Sequence, residues 1–303
     1  MTNTAYSAPA ERWILPVILA ALTLVAVAAP RLTIAESLGI SVDAGNFLLL
    51  GLEIAAFYPL IAALERILPE RAEWNRSHED VRTDLAHLLF SGSLAQLLFQ
   101  ATLGAATVKA GVWLGTRIGA RPWPSHAPII VQMFLAIWIA EFGHYWFHRL
   151  SHENALVWRV HAVHHSARRL YWLNATRFQW FDIFSLISLQ SIPLLLLGAR
   201  REALLPYTMF AAVYGQLQHM NVRVRSPWVD WIFSTPALHR WHHSTDPREG
   251  NQNYGAILIF WDQLFGTFFR PRRRAFDAEV GIADLPRFPT SYLAQQLSPL
   301  RWR

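Results

Sequence analysis

The sequence predicts an all-α fold: an integral-membrane helical bundle whose cytosolic helical cap carries a cluster of histidines. Three observations predict it. Apolar residues make up 53% of the 303 residues and charged residues only 16%, against roughly 45–50% and about 25% in soluble domains. Six apolar stretches run through approximately 13–30, 45–65, 85–108, 128–147, 180–198 and 203–219, and each reaches or approaches the roughly 20 residues a membrane helix needs. Nine of the 13 histidines fall in two short windows, 144–165 and 239–243.

The first stretch has two readings. Arg12 precedes an apolar run that ends in small residues, as in a secretory signal, but its length and the five stretches behind it favour a span. Glu53 lies within the second stretch and Pro193 interrupts the fifth, which leaves re-entrant hairpins open there. With a cytoplasmic N-terminus and six spans, the inside segments hold 21 arginines. The outside segments hold six basic residues, Arg31, Lys109, Arg117, Arg121, Arg200 and Arg201. By the positive-inside rule, the histidine windows face the cytoplasm. Residues 220–303 are more polar and rich in Trp, Arg and Pro, so they read as a cap packed on the bundle. The run Pro271 to Arg274 reads as a surface patch facing lipid headgroups.

Cysteine is absent, which excludes disulfides, thiolate metal sites, iron–sulfur clusters and cysteine nucleophiles. The net charge of +6 comes from 26 arginines and one lysine. Such an excess suits nucleic acid or an anionic lipid surface; the apolar content selects lipid, and no nucleic-acid partner is expected. Arginine in place of lysine suggests a GC-rich bacterial source, hence the inner membrane.

The histidine pattern carries the chemistry. His144, His148 and His152 recur every four residues, so on a helix they share one face about 6 Å apart. His161, His164 and His165 follow, and HRWHH repeats their spacing with His239, His242 and His243. His219 stands at the end of the last apolar stretch, where an ionisable group is a functional suspect. A lone histidine is most simply a hydrogen-bonded interface residue, and His78, His87 and His126 are read so. Two HxxHH motifs beside an HxxxH are not. Neutral imidazole binds zinc, copper, iron and nickel, and one zinc needs only three or four protein ligands. Eight or nine histidines suit two metals with four or five ligands each. No HExxH is present, which removes the zinc metalloprotease reading, and the Glu-x-x-His pairs of carboxylate-bridged di-iron bundles are missing too.

Ligating imidazoles need partners for their other ring nitrogen. Glu141, seven residues before His148, Asp246, just after the last window, and Asp182 and Asp262 are candidates. A solvated or capping carboxylate is the equal alternative for each. His144 is either a ligand or a neighbour of the site, since His148 and His152 already make a pair. Arg177 neutralises a lipid headgroup or pairs with a carboxylate, and Trp261 and Phe265 read as interfacial anchors.

The segments YWFHRLSH, HAVHHS, HRWHHS and NYGAILIFWDQLFGT, within Asp84 to Thr267, resemble the fatty acid hydroxylase/sterol desaturase superfamily of membrane di-iron oxygenases. The resemblance implies metal ligation by His148, His152, His161, His164, His165, His239, His242 and His243, with His219 as a ninth. It implies two non-haem iron ions, O2 as co-substrate, a membrane lipid substrate, and a separate electron donor such as a ferredoxin, a b-type cytochrome or a reductase. LNATR, with Asn174 and Arg177, resembles a family segment near the cluster or substrate. The His-Pro pair that many members show after this arginine is replaced by Phe178 and Gln179, and no HPGG-type haem motif is present. The expected division is an N-terminal transmembrane region 1–83, a hydroxylase-type domain 84–270 and a basic tail 271–303.

The implied reaction is hydroxylation or desaturation at an unactivated C–H position. Fatty acyl chains, sterols, alkyl glycerols, ornithine lipids and carotenoids remain open as substrates. The alternatives are a carotenoid ring hydroxylase, a zinc- or metal-binding membrane protein without oxygen chemistry, and a metal transporter.

Overall fold

The computed structural model describes residues 9–32, 34–271, 276–283, 285 and 287–302. Of the basic run Pro271 to Arg274, Arg272 to Arg274 lie outside the described residues. The fold is helical, and among the described residues the only β pairing is three isolated bridges.

Four helices are long and apolar enough to cross a membrane: α1 (Pro9–Ala28), α2 (Val42–Ile67), α3 (Val81–Ile118) and α4 (Ile129–Glu153). Helix α3 contains two wide π turns, His87–Ser91 and Gln100–Gly104. A short helix α5 (Ala155–His165) follows α4 after one residue, Asn154, whose side chain accepts from the backbone N–H of Leu156 and Val157. That cap satisfies two of the donors a helix start leaves over, and it turns the chain back over the end of α4. Then come α6 (Trp180–Leu196), α7 (Arg201–His219), α8 (Pro236–His242) and α9 (Phe260–Phe265).

The first stretch packs as a helix of the bundle. Leu15, Leu22 and Ala26 of α1 are fully buried in one core with Ile61 of α2, Met133 and Ile137 of α4 and Phe210, Val213 and Leu217 of α7. The six stretches do not become six long apolar spans. Helix α6 is shorter, 17 residues, and α7 is a central helix wrapped by α1, α2 and α4, with ten buried residues. Pro193 does not break α6, and Glu53 faces inward within an unbroken α2.

Helices α6 and α7 pass down and back through the bundle. The N–H of Trp123, before α4, donates to the Leu197 carbonyl at the end of α6 (3.0 Å). Arg201 at the start of α7 pairs with Asp43 at the start of α2 (3.1 Å). Close approach needs glycine twice. A Cβ on Gly143 of α4 would lie 2.6 Å from the Leu189 carbonyl oxygen of α6, and one on Gly111 of α3 would lie 2.5 Å from that of Leu195. Small residues let backbones meet where lipid provides no hydrophobic drive between helices. The end of α4, both ends of α5, the start of α6 and the end of α7 thus converge at one end of the bundle.

Candidate metal centre

Nine histidines meet at that end in two groups. His148, His152, His161, His165 and His242 form one; His164, His219, His239 and His243 form the other. Within each group, one candidate ligand atom per residue lies within 4.8 Å of every other. The HRWHH and HAVHH rings share both groups: His165 and His242 are 4.8 Å apart by ring centroid, and His164 and His243 also 4.8 Å.

Helix geometry explains the partition. Residues four apart lie nearly above one another, whereas adjacent residues point about 100° apart. His148 and His152, His161 and His165, and His239 and His243 are such pairs, and each stays within one group. The neighbours His164 and His165, like His242 and His243, go to different groups.

The nitrogens themselves fit metals. All five Nε2 atoms of the first group are buried without a hydrogen-bond partner. Unpaired polar atoms are costly in a protein interior, and five aimed at one another are the inner surface of a ligand cage. In the second group, Nε2 of His239 lies 3.0 Å from Nε2 of His219 and 3.1 Å from that of His243. That is the spacing of neighbouring ligands at right angles around one ion with bonds of about 2.1 Å. Burial, followed by the neighbouring imidazoles, holds His164, His165, His239, His242 and His243 well below the usual 6.5. They are neutral at physiological pH, the form that offers a lone pair.

The other ring nitrogens are held in place. Nδ1 of His161 donates to the fully buried Asp182 (2.9 Å), and Nδ1 of His219 donates to Oδ1 of Asn174 (2.9 Å). Nδ1 of His148 and of His242 donate to the backbone carbonyls of Tyr254 (2.7 Å) and Gln252 (2.8 Å), and His152 pairs with Asn251 (3.1 Å). The loop 251–254 therefore contacts three histidines of one group, two through backbone carbonyls that leave no side-chain signature and one through the side chain of Asn251.

The remaining candidates have other tasks. Glu141 does not reach a histidine. Two turns below His148, it accepts from the N–H of Ala256 (3.0 Å) and Leu258 (3.3 Å). Asp246 caps the turn Pro247–Gly250 and pairs with Arg248 (2.8 Å). Asp262 accepts from the N–H of Tyr254 (2.7 Å) and Gly255 (2.8 Å), so it holds the loop rather than a ring. Arg177 pairs with a carboxylate, not a headgroup: its Nε lies 2.6 Å from Asp84, which also accepts from the Tyr171 hydroxyl. Trp261 and Phe265 stack on each other, with Trp261 against Trp138 of α4, and are not free anchors. His144 belongs to neither group. Its ring stands edge-on to His148, and Nδ1 lies 3.1 Å from the Gln190 amide nitrogen. His87 bonds to Gln295 and the Phe178 carbonyl.

Two openings flank the cluster. Between α4, α6 and α7 a cavity of about 190 Å3 touches both groups and is otherwise lined largely by apolar residues such as Ile183, Leu186 and Ala211. On the far side a wider opening, about 620 Å3, is lined by His152, His165, His242, Trp158, Asn251 and Trp302.

Helices long and apolar enough to cross a membrane, ending in nine convergent imidazoles that could hold metal ions, define the class as an integral-membrane protein with a candidate metal centre. The fatty acid hydroxylase family model matches residues 133–267, which contain all nine. The chain is 39% identical over 248 residues to the ornithine lipid hydroxylase OlsE of Rhizobium tropici, covering 79% of this chain and 72% of that protein. It is 31% identical over 157 residues to the alkylglycerol monooxygenase of Homo sapiens (52% of this chain, 34% of that protein). It is 27% identical over 164 residues to the Delta(7)-sterol 5(6)-desaturase erg3B of Aspergillus fumigatus (52% and 44%). The chain thus spans about a third to under half of the length of these last two. No solved structure matches it significantly. The chain belongs to the fatty acid hydroxylase family, among membrane-bound oxidoreductases that hydroxylate, oxygenate or desaturate lipids.

Proposed function

We propose that this protein is a non-haem di-iron oxygenase that inserts oxygen into an unactivated C–H bond of a membrane lipid, within a hydroxylase unit spanning about 84–270. The observation that supports it most directly is the set of five unpartnered Nε2 atoms beside a second, four-histidine group. The donor set is all imidazole, which suits iron, copper or zinc. The division into five and four suits two ions rather than one, which disfavours a single structural zinc. His148, His152, His161, His165 and His242 would hold one ion, and His164, His219, His239 and His243 the other. Bound there, a pair of iron ions supplies the redox chemistry that activates O2.

The chain's own residues do the rest. Asp182, Asn174, Asn251 and the carbonyls of Gln252 and Tyr254 fix the ring orientations. Phe178 stacks on His164 with ring centroids 4.3 Å apart, and keeps water from that side. The 190 Å3 cavity between α6 and α7 takes the lipid from the bilayer side, and the wider opening by His152 and Trp158 faces a separate electron donor. Four spans leave the chain parity of six, so the cluster lies on the side of the N-terminus, and the 21 arginines counted on that side against six basic residues on the other support a cluster facing the cytoplasm of a bacterial inner membrane.

Comparative lipidomics of cells with and without the gene tests this reading. The expected result is one lipid class gaining a single oxygen when the gene is present. Loss of two hydrogens instead would move the protein to the desaturases, and identical lipidomes under aerobic growth would count against both.

A further inference from the structure

The cavity beneath the histidine groups is not uniformly apolar. Glu141 accepts through Oε2 from the amides of Ala256 and Leu258, and Gln218 donates through its amide nitrogen to Ser234 and the Gly255 carbonyl. His144, Gln190 and Tyr207 keep capacity to spare. Between His144 and Gln190 runs one hydrogen bond of 3.1 Å. The Gln190 amide nitrogen donates to Nδ1 of His144, which leaves the imidazole Nε2–H and the second amide N–H as donors and the amide oxygen as an acceptor. Neither has a second hydrogen-bond partner among the described residues, and the Tyr207 hydroxyl has none. These groups come from three helices, α4, α6 and α7, and lie at the depth of the bundle, where no bulk water compensates an unused polar atom.

We infer that His144, Gln190 and Tyr207 form a receptor for a polar group of the lipid, one turn of α4 away from His148. Because the receptor retains both a donor and an acceptor, the group it fits offers both: a hydroxyl or a secondary amide, and not an ester, which only accepts. The polar group thereby fixes which carbon of an otherwise featureless chain stands beside the histidine groups. This rests on the reading of the cavity as the substrate pocket.

Equilibrium binding tests it on the full-length protein in nanodiscs, as purified and without reductant, so that no turnover occurs. Four probes share one chain length: an amide-linked acyl chain, its ester counterpart, a hydroxyacyl chain and an unsubstituted chain. Binding of the amide or the hydroxyl probe roughly tenfold tighter than the ester and the unsubstituted chain is expected, and the tighter of the two names the group. Gln190→Met and Tyr207→Phe, on different helices, should each cut that preference several-fold while leaving affinity for the unsubstituted chain within twofold. Equal binding of all four probes, or a preference untouched in both variants, overturns the receptor. Metal content measured on the same samples keeps this separate from the parent reading: a preference without iron would sink the di-iron assignment alone, and two irons without a preference would sink the receptor alone.

Discussion

Asp182, at the start of α6, accepts a hydrogen bond from Nδ1 of His161 at 2.9 Å, and neither side chain reaches solvent. Gln179 caps α6 by accepting from the N–H of Phe181 and Asp182, which fixes where that carboxylate stands. A carboxylate behind a ligating imidazole sets its tautomer and strengthens its lone pair, and such partners are worth about 10–100-fold in metal affinity. Asp182→Asn should therefore weaken metal retention on that scale while helix content is unchanged. Competitive chelation followed by elemental analysis reads it; unchanged retention would make Asp182 a packing residue.

The two groups differ in redundancy, which single substitutions should expose. His164→Ala leaves three histidines in a group of four, the fewest that hold an ion, and should bring metal content down towards one ion per chain under competitive chelation, with loss of product. His152→Ala leaves four ligands in a group of five, at the least buried position, and should keep close to two ions under excess iron. Elemental analysis of the two purified variants distinguishes them. Equal losses would show that the groups do not act as separate sites.

Arg177 and Asp84 form a buried ion pair between the segment before α6 and the start of α3. Removing one partner of such a pair strands a charge and costs about 3–5 kcal/mol. Arg177→Met should lower the thermal midpoint strongly, and adding Asp84→Asn should recover part of the loss. A double variant less stable than the single one would contradict this account.

Stability should fall in acid. At Glu70, burial favours the neutral carboxyl, but Arg240 and Arg225 outweigh it and hold it below the usual 4.5. Asp80 is held below 3.8 by Arg169, again against burial. A lowered carboxylate contributes stability that is present above its unfolded value and lost as pH falls through the folded one. Asp262 has the opposite sign: burial pushes it up to about 6, so its contribution is present below 3.8 and lost as pH rises through about 6. Thermal midpoints should drop below about pH 4.5, and Glu70→Gln should blunt that drop. A flat acid limb in the native protein would refute these pairings.

Much of the site is legible in the sequence because its ligands obey helical spacing. The i, i+4 pairs His148–His152, His161–His165 and His239–His243 mark which rings share a group. The partition into five and four is not legible, because it depends on how α5 and α8 meet. The partners of His148 and His242 were hidden because they are backbone carbonyls. For Glu141 and Asp246 the capping alternative holds, because backbone N–H groups claim them, which proximity along the chain does not reveal. Helix α7 reads as a lipid-facing span because an interior helix and a membrane helix are both apolar; only its neighbours α1, α2 and α4 separate the cases.

The number and kind of metal ions bound per chain test the central claim most directly. Full-length protein, loaded anaerobically with ferrous iron and freed of excess, should carry about two irons per chain, with Mössbauer parameters of nitrogen-ligated non-haem sites. A single zinc that iron cannot replace, with no iron retained, would contradict the account.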